Sequence, residues 1–260
     1  MTNKAQKFFF TLKNTLNKSL ALAKAEFKLR NEGSYLGIFW YLLNPTLTFL
    51  VLLVVFANKF SNNIPHYSLY LLLGIIMFNF FRQTTIESTQ VINENRWLIK
   101  SINFPRECLV ASLTLKTLFS HIFEIILFVI LLFIFNVSTQ GIIFYPLILF
   151  LFCLFIYGAS LILAALTVYF IDLFNVWLFI SFLIWFGTPI FYTIENQSWL
   201  FKLNLLNPIY YFITMARDLM IYAKSPETWM VLGAIFYSLL FLIVGLCVFN
   251  KLKYKFAELI

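Results

Sequence analysis

Residues 141–170 read GIIFYPLILFLFCLFIYGASLILAALTVYF, an uninterrupted run without a single Asp, Glu, Lys or Arg. A helix rises about 1.5 Å per residue, so a run of this length can cross about 30 Å of hydrocarbon. Further apolar runs flank it on both sides, and together they predict an all-α integral membrane protein with six transmembrane helices. The predicted transmembrane helices are 36–57, 67–90, 109–135, 141–170, 174–192 and 229–250.

The composition of the whole chain agrees with this interpretation. Of its 260 residues, 62% are hydrophobic and 20% are aromatic, while only 12% are charged. Soluble domains typically carry roughly 25% charged residues. We therefore treat residues 1–260 as one transmembrane domain and exclude a soluble globular class.

Positive charge is distributed unevenly along the chain, whose net charge is +8. Lysine and arginine concentrate before the first apolar run, between the second and third runs, and after the last run. Because cytoplasmic connections carry the excess of these residues, both termini are predicted to be cytoplasmic, which requires an even number of spans. The expected partner of this basic balance is the anionic inner leaflet, and we predict no binding of nucleic acid.

The segment 4–30 has the pattern of an amphipathic helix that lies at the membrane interface. When it is wound at 100° per residue, its apolar residues share one face and most of its lysines share the other. A helix of this kind could receive force from a partner, or it could only anchor the first span. The predicted interface residues are Phe9, Leu12, Leu16, Leu20, Phe27 and Arg30.

The third apolar run carries polar residues at helical spacing. Lys116, Ser120, His121 and Glu124 recur at intervals that place them on one face, so they cannot all face lipid. They could form a polar strip along a translocation path, or they could be hydrogen bonds between helices, which is the interpretation we favour. His121 is not predicted to bind a metal, because the other histidine, His66, belongs to an outer loop.

The region 193–228 is too polar to cross a membrane and too apolar for a free loop. It follows Gly187-Thr-Pro189, where a helix is expected to break. We predict short re-entrant helices that dip back into the outer leaflet between spans five and six and need protein cover for their exposed backbone. The alternative is a static cap at the interface.

Several blocks, in the same order along most of the chain, resemble the permease subunits of polysaccharide-export ABC transporters. No single block is decisive, but together they make a specific signal. The blocks are Trp40 with Leu43-Asn-Pro45, Phe104-Pro-Arg-Glu107, Asp172-Leu173, Trp185 to Tyr192, Leu206-Asn-Pro-Ile209 and Arg217-Asp218.

The resemblance implies a homodimeric permease in the bacterial inner membrane that pairs with two copies of a separate ATPase. Its implied substrate is a lipid-linked glycan, such as an O-antigen on an undecaprenyl diphosphate carrier, a capsular polymer or a teichoic acid. It also implies an outer gate in 193–228, and Arg217 and Asp218 could pair with each other or across the dimer. The implied gate residues are Asn207, Pro208, Tyr210, Tyr211, Arg217 and Asp218.

The connection 91–108 is the implied coupling segment that contacts the ATPase. Its charged residues alternate with apolar ones, and Pro105 can open the next helix with Glu107 in the first turn. The alternative is a solvated basic loop that rests on lipid headgroups. The implied coupling residues are Arg96, Trp97, Phe104, Pro105, Arg106, Glu107 and Asp172.

The sequence contains no Gly-x-x-x-x-Gly-Lys-[Ser/Thr] element, so this chain is not expected to cradle nucleotide phosphates. We predict no catalytic, metal or cofactor residues here, and we assign ATP and Mg to the partner ATPase. One alternative is an ABC exporter of drugs or small lipids. A membrane-bound glycosyltransferase or acyltransferase is less favoured, because Glu195, Asp218 and Glu227 are widely spaced on the outer side.

Overall fold

The computed structural model describes residues 2–31, 37, 39–61, 63–101, 104–194 and 199–256, and these residues form helices, turns and no strand. Short 3-10 turns at Gln140–Phe144 and Lys253–Lys255 adjoin two of the helices. The helices are α1 (Thr2–Asn31), α2 (Phe39–Phe60), α3 (Tyr67–Ser88), α4 (Val91–Glu94), α5 (Arg96–Ser101), α6 (Glu107–Ile134), α7 (Tyr145–Thr167), α8 (Leu173–Gly187), α9 (Trp199–Asn204), α10 (Pro208–Met220) and α11 (Thr228–Leu252).

Within the described residues, five helices are long and apolar enough to cross a membrane: α2, α3, α6, α7 and α11. The predicted span 174–192 corresponds to α8, which has 15 residues and ends at Gly187, so that prediction was too long. Thr188 is extended, with φ −86° and ψ 136°, as expected for a residue that precedes proline. Pro189 also lacks the amide hydrogen that would continue the helix.

Helix α3 lies at the centre of the bundle, and most of its residues are buried. It packs against α2, α6, α7, α8 and α10. Helices α2 and α8 instead keep broad apolar faces exposed, including Val51 and Val54 on α2 and Phe179 and Phe182 on α8. These faces are covered in the membrane by lipid or by another protein surface, since apolar side chains are favoured there.

Helices α7 and α11 cross in close contact because glycines meet at the crossing. A Cβ atom on Gly158 would lie 2.4 Å from the carbonyl oxygen of Phe241, and one on Gly245 would lie 2.4 Å from the carbonyl oxygen of Gly158. Small residues permit such an approach of two backbones. Gly158 in the fourth apolar run is therefore a packing residue.

Helix α1 packs against α6 through Ser19 and Ala23, both fully buried. The ring of Phe27 lies against those of Phe119 and Phe123. Leu16 and Leu20 are exposed, so the face against α6 is rotated away from part of the predicted apolar face. The predicted interface side chains of Phe9, Leu12 and Arg30 lie outside the described part of the chain.

Candidate functional site

The predicted coupling segment forms two short helices, α4 and α5, followed by the turn that leads into α6. Ile99 of α5 is buried, whereas Trp97 is 63% exposed. Residues 102 and 103 lie outside the described residues. As expected, α6 begins just after Pro105, with Glu107 in its first turn, where a carboxylate interacts favourably with the helix dipole.

Arg106 and Glu107 both contact the segment that follows α11. The Nη1 atom of Arg106 donates a hydrogen bond to the carbonyl oxygen of Lys253, and the Nζ atom of Lys253 forms an ion pair with Glu107. The guanidinium of Arg106 also lies 5.9 Å from the ring centroid of Phe256. Two residues of the coupling segment are therefore held by this tail.

Phe256 anchors the tail segment Lys253–Phe256 to the bundle. Its side chain is fully buried and meets Phe249 edge to face, with ring centroids 5.5 Å apart. It belongs to one apolar cluster with Ile99 of the coupling segment and Leu109 of α6. The tail and the coupling segment consequently share a core.

An open cleft of about 540 Å³ lies between the coupling segment and the tail. The turn that contains Asp172 approaches the same tail, because the Tyr169 hydroxyl donates to the carbonyl oxygen of Leu252 at 3.2 Å. Asp172 itself is exposed at the start of α8. The cleft is lined by Ile99, Phe104, Pro105, Arg106, Glu107, Lys253 and Tyr254.

Lys116 joins three helices at the same end of the bundle. Its Nζ atom lies 2.9 Å from a carboxylate oxygen of Glu87 on α3 and 3.6 Å from one of Glu26 on α1. Gln83 donates to Glu87 at 2.9 Å. Burial raises the pKa of Glu26, and the nearby ammonium of Lys116 opposes that effect.

His121 and Glu124 lie apart from Lys116 and bond within the bundle. The His121 Nε2 atom lies 2.6 Å from the hydroxyl oxygen of Tyr145 on α7, and its Nδ1 atom lies 3.6 Å from Glu124. The imidazole also stacks on Phe80 of α3, with a centroid distance of 4.6 Å. The predicted polar strip is thus divided, and each part is bonded to other helices.

The predicted outer segment is the region 193–228. Its described helices, α9 and α10, are organised around the helix break that follows α8 at residues 188–192. The guanidinium of Arg217 on α10 is buried and donates to the carbonyl oxygens of Pro189 at 2.7 Å, Ile190 at 2.9 Å and Tyr70 at 3.0 Å. It also lies 3.4 Å from the ring centroid of Tyr70. Arg217 therefore bonds to carbonyl groups of α3 and of the break, which are partners that the sequence did not predict.

Two asparagines fasten the short outer helices to the break. Asn207 caps α10 by accepting a hydrogen bond from the amide of Ile209 at 3.1 Å, and its Nδ2 atom donates to Thr188 at 2.8 Å. Asn204 at the end of α9 donates to the carbonyl oxygen of Gly187 at 3.0 Å. Pro208 occupies the first turn of α10, where its missing amide hydrogen costs nothing.

Tyr210 and Tyr211 are buried on α10. The hydroxyl of Tyr211 donates to the carbonyl oxygen of Leu205 at 2.8 Å, and its ring fills the space beside Gly233 of α11. Asp218 is half-buried, and burial raises the pKa of its carboxyl group. Of the predicted gate residues, the tyrosines and Arg217 thus face the bundle.

Sequence reasoning missed several partners that complete these sites. Lys253 and Phe256 hold the predicted coupling segment, Glu26 and Glu87 hold Lys116, and Tyr70 holds Arg217. A single phenylalanine among the lysines of the tail was a usable signal for burial. The sequence offered no such signal for Tyr70, because this residue contacts Arg217 through its backbone carbonyl as well as through its ring.

Comparison with known proteins places this arrangement in a family. The family model described as ABC-2 type transporter matches residues 18–221. The chain belongs to the ABC-2 type transporter family. The match runs from α1 through α10, and so it includes the coupling segment and the outer segment of this transporter.

Individual ABC-2 relatives cover nearly the same length as this chain. An O-antigen export system permease protein RfbA of Myxococcus xanthus is 26% identical over 243 residues, 92% of this chain and 94% of the relative. One of the same name from Klebsiella pneumoniae is 26% identical over 251 residues, 93% of this chain and 94% of the relative. The resemblance to polysaccharide-export ABC permeases is confirmed, and the chain is a multi-pass membrane protein of an ABC transporter.

Proposed function

We propose that this chain is the permease subunit that moves a lipid-linked polysaccharide of the O-antigen type from the cytoplasmic to the outer face of a bacterial inner membrane. The observation that carries the proposal is the full-length similarity to O-antigen export system permeases from two organisms. The undecaprenyl diphosphate carrier is part of the same proposal.

The proposed topology has six spans with both termini in the cytoplasm. Helix α8 has 15 residues and would rise about 22 Å on its own. Residues 188–192 follow it as bent, irregular backbone, and the carbonyl groups of 189–192 accept hydrogen bonds from side chains of α3 and α10. Covered irregular backbone is tolerated at membrane depth, so α8 with this extension serves as the fifth span and α9 and α10 as re-entrant outer helices.

The ATPase partner is proposed to bind at the cleft between the coupling segment and the tail. Two copies of the ATPase hold ATP and Mg, and this chain binds no cofactor. Trp97 is exposed on α5, and Phe104 and Arg106 line the cleft, so the cleft offers apolar and charged groups side by side. Exposed aromatic and arginine side chains are favoured as anchors at protein interfaces.

Two copies of this chain would form the translocation path between their exposed faces. An aromatic ladder on α8, the break after it and α2 has ring centroids 4.9 to 6.1 Å apart in succession. It runs through Phe182, Phe186, Phe191, Phe56 and Phe60. The faces of sugar rings stack on aromatic side chains, so a polymer could slide along such a ladder without a tight binding site. The outer segment closes this path as its gate.

One experiment tests the proposal as a whole. The tagged chain is co-expressed with its cognate ATPase in a host that makes O-antigen but lacks its own exporter. We expect the two proteins to copurify and the polymer to reach the cell surface, detected on intact cells by antibody. Surface polymer that is unchanged when this chain is deleted contradicts the proposal, and export of a teichoic acid, a capsular polymer or a small lipid instead reassigns the substrate.

A further inference from the structure

The backbone between Gly187 and Tyr192 leaves the helix but remains packed inside the protein. Thr188 and Ile190 are fully buried, and after the amide of Thr188 bonds to Ile184 at 2.8 Å the helical ladder stops. The carbonyl groups that follow have no helical partners. In a low-dielectric environment, each one left without a donor costs several kcal/mol.

Arg217 supplies donors to two of these carbonyl groups and ties them to a third helix. Its Nη1 atom bonds to Pro189, and its Nη2 atom is shared between Ile190 and Tyr70. Its Nε atom bonds again to Tyr70 at 3.2 Å. One side chain of α10 therefore holds both the break and α3.

Tyr70 holds the same break from the other side. Its hydroxyl shares its one hydrogen between the carbonyl oxygens of Tyr192 at 2.8 Å and Pro189 at 3.2 Å. The hydroxyl of Tyr67 donates to the carbonyl oxygen of Phe191 at 3.1 Å. Every carbonyl group from Pro189 to Tyr192 is thus bonded to a side chain of α3 or α10. We call residues 189–192 with these donors the carbonyl clamp.

The clamp depends on space as well as on donors. A Cβ atom on Gly74 would lie 2.4 Å from the Nη2 atom of Arg217 and 3.2 Å from the side chain of Ile190. Only glycine at this turn of α3 lets the guanidinium reach the Tyr70 carbonyl without displacement. The geometry therefore requires residues from α3, α8 and α10 together.

We propose that Arg217 is a positioning residue for transport, which locks the end of α8, α3 and α10 into one rigid unit at the outer end of the path. The outer segment then opens as a whole unit and not as a separate flap formed by α10. The proposal deepens the proposed function, on which its transport readout depends. Arginine suits the role because its planar fork presents five donors, whereas lysine presents its three at a single nitrogen.

The test measures the clamp directly and transport separately. In a variant whose native Cys108, Cys153 and Cys247 are replaced by alanine, Ile190→Cys places a thiol in the buried break. Its labelling by a membrane-impermeant maleimide on intact cells reports opening of the clamp. We compare Arg217→Met, Arg217→Lys and Gly74→Ala, with Gly187→Ala as the control because a Cβ atom there meets no atom within 4 Å.

We expect Arg217→Met to accelerate labelling at least about tenfold, since it removes every hydrogen bond that the guanidinium donates to the break and to Tyr70 and bonds from a charged donor are the stronger kind. Export should fall by a similar factor, while copurification with the ATPase and its ATP hydrolysis stay near parent levels. Arg217→Lys should lie between parent and Arg217→Met. A residue that served only global stability would instead lower the amount of assembled complex and its ATP hydrolysis together.

Gly74→Ala decides the case if Arg217→Met fails to assemble, because it keeps the charge and chiefly displaces the end of the fork. We expect faster labelling and weaker export in Gly74→Ala but not in Gly187→Ala. Parent-like labelling and export in Gly74→Ala, or in an assembled Arg217→Met, overturns the proposal. If the parent exports no polysaccharide, the proposed function fails, whereas accelerated labelling in the variants would still support the clamp.

Discussion

The guanidinium of Arg106 donates a hydrogen bond to the carbonyl oxygen of Lys253 across a sequence separation of 147 residues. It joins the connection that precedes α6 to the segment that follows α11. The ion pair between Lys253 and Glu107 is a second link between the same two segments, and in this one the basic side chain belongs to the tail. A displacement of the predicted coupling segment would therefore act on α6 and α11 together.

Removing the tail anchor should uncouple the ATPase without preventing membrane insertion. Phe256→Ala deletes a fully buried ring, and such a truncation costs about 3–5 kcal/mol where the site cannot collapse. We expect the stimulation of ATP hydrolysis by transport to fall several-fold in Phe256→Ala, as in Phe104→Ala and Arg106→Glu. The measurement is ATP hydrolysis by the purified complex in nanodiscs.

Lys255→Ala is the matched control for the tail, since Lys255 is exposed in the same segment. The double variant Arg106→Ala with Phe256→Ala should lose less than the sum of the two single losses, because both side chains act on one contact. Full coupling in Phe256→Ala would place the ATPase contact elsewhere.

The crossing of α7 and α11 should tolerate no side chain at Gly158. In Gly158→Ala the new methyl group would meet the backbone of Phe241 at 2.4 Å, and backbone cannot yield as the tip of a side chain can. We expect a loss of about 1–3 kcal/mol, seen as a lower midpoint of thermal unfolding in detergent. Gly187→Ala, which meets open space, should match the parent, and equal midpoints for both variants would argue against a close crossing.

Tyr145→Phe separates the two interpretations of the polar residues on α6. It removes the 2.6 Å contact with His121 and leaves a buried nitrogen without that partner, which costs about 1–3 kcal/mol. If these residues join helices, thermal stability should fall while export per assembled complex stays unchanged. A loss of export at unchanged stability would instead favour a polar strip along the path.

The docking of α1 onto α6 should strengthen in mild acid. Burial raises the pKa of Glu26 in the docked state above its value in water, despite the neighbouring Lys116. Docking therefore takes up a proton. The resulting stabilisation of the docked state is fully present below the pKa of a free glutamate, about 4.3. This stabilisation is lost as the pH rises through the pKa of Glu26 in the docked state.

Spin labels at the exposed positions Ala25 on α1 and Ile122 on α6 can report this docking by their distance distribution. We expect the docked population to grow as the pH falls from about 7 to about 4.5. Glu26→Gln, which cannot titrate, should remove the dependence. A docked population that decreases in acid would mean that the ion pair with Lys116 outweighs burial.

Local patterns were sufficient for most of the fold. The apolar runs predicted α2, α3, α6, α7 and α11 because a membrane helix must be apolar along its whole length, and that property is visible without any knowledge of neighbours. The break at Pro189 was visible for the same reason, since proline acts on its own backbone. The length of α8 was overestimated because apolar residues continue beyond the break, where the backbone is irregular and no longer helical.

The partners of the charged residues were not predictable in the same way. The sequence suggested Asp218 as a partner for Arg217, within the chain or across the dimer. The carbonyl groups of Tyr70, Pro189 and Ile190, to which Arg217 bonds in the structure, were not foreseen. Lys116 was placed on a polar face with His121, but its carboxylate partners come from α1 and α3. These contacts require the relative positions of helices that are distant in sequence.

The sequence alone determined that this is a membrane protein, where its five long apolar helices begin and end to within a few residues, and which blocks resemble a transporter. Each of these follows from the solubility or backbone chemistry of adjacent residues. Only the tertiary structure decided that the tail holds the coupling segment and that Arg217 closes the break after α8. A carbonyl group is present at every position, so no side-chain pattern marks the one that a buried arginine will reach.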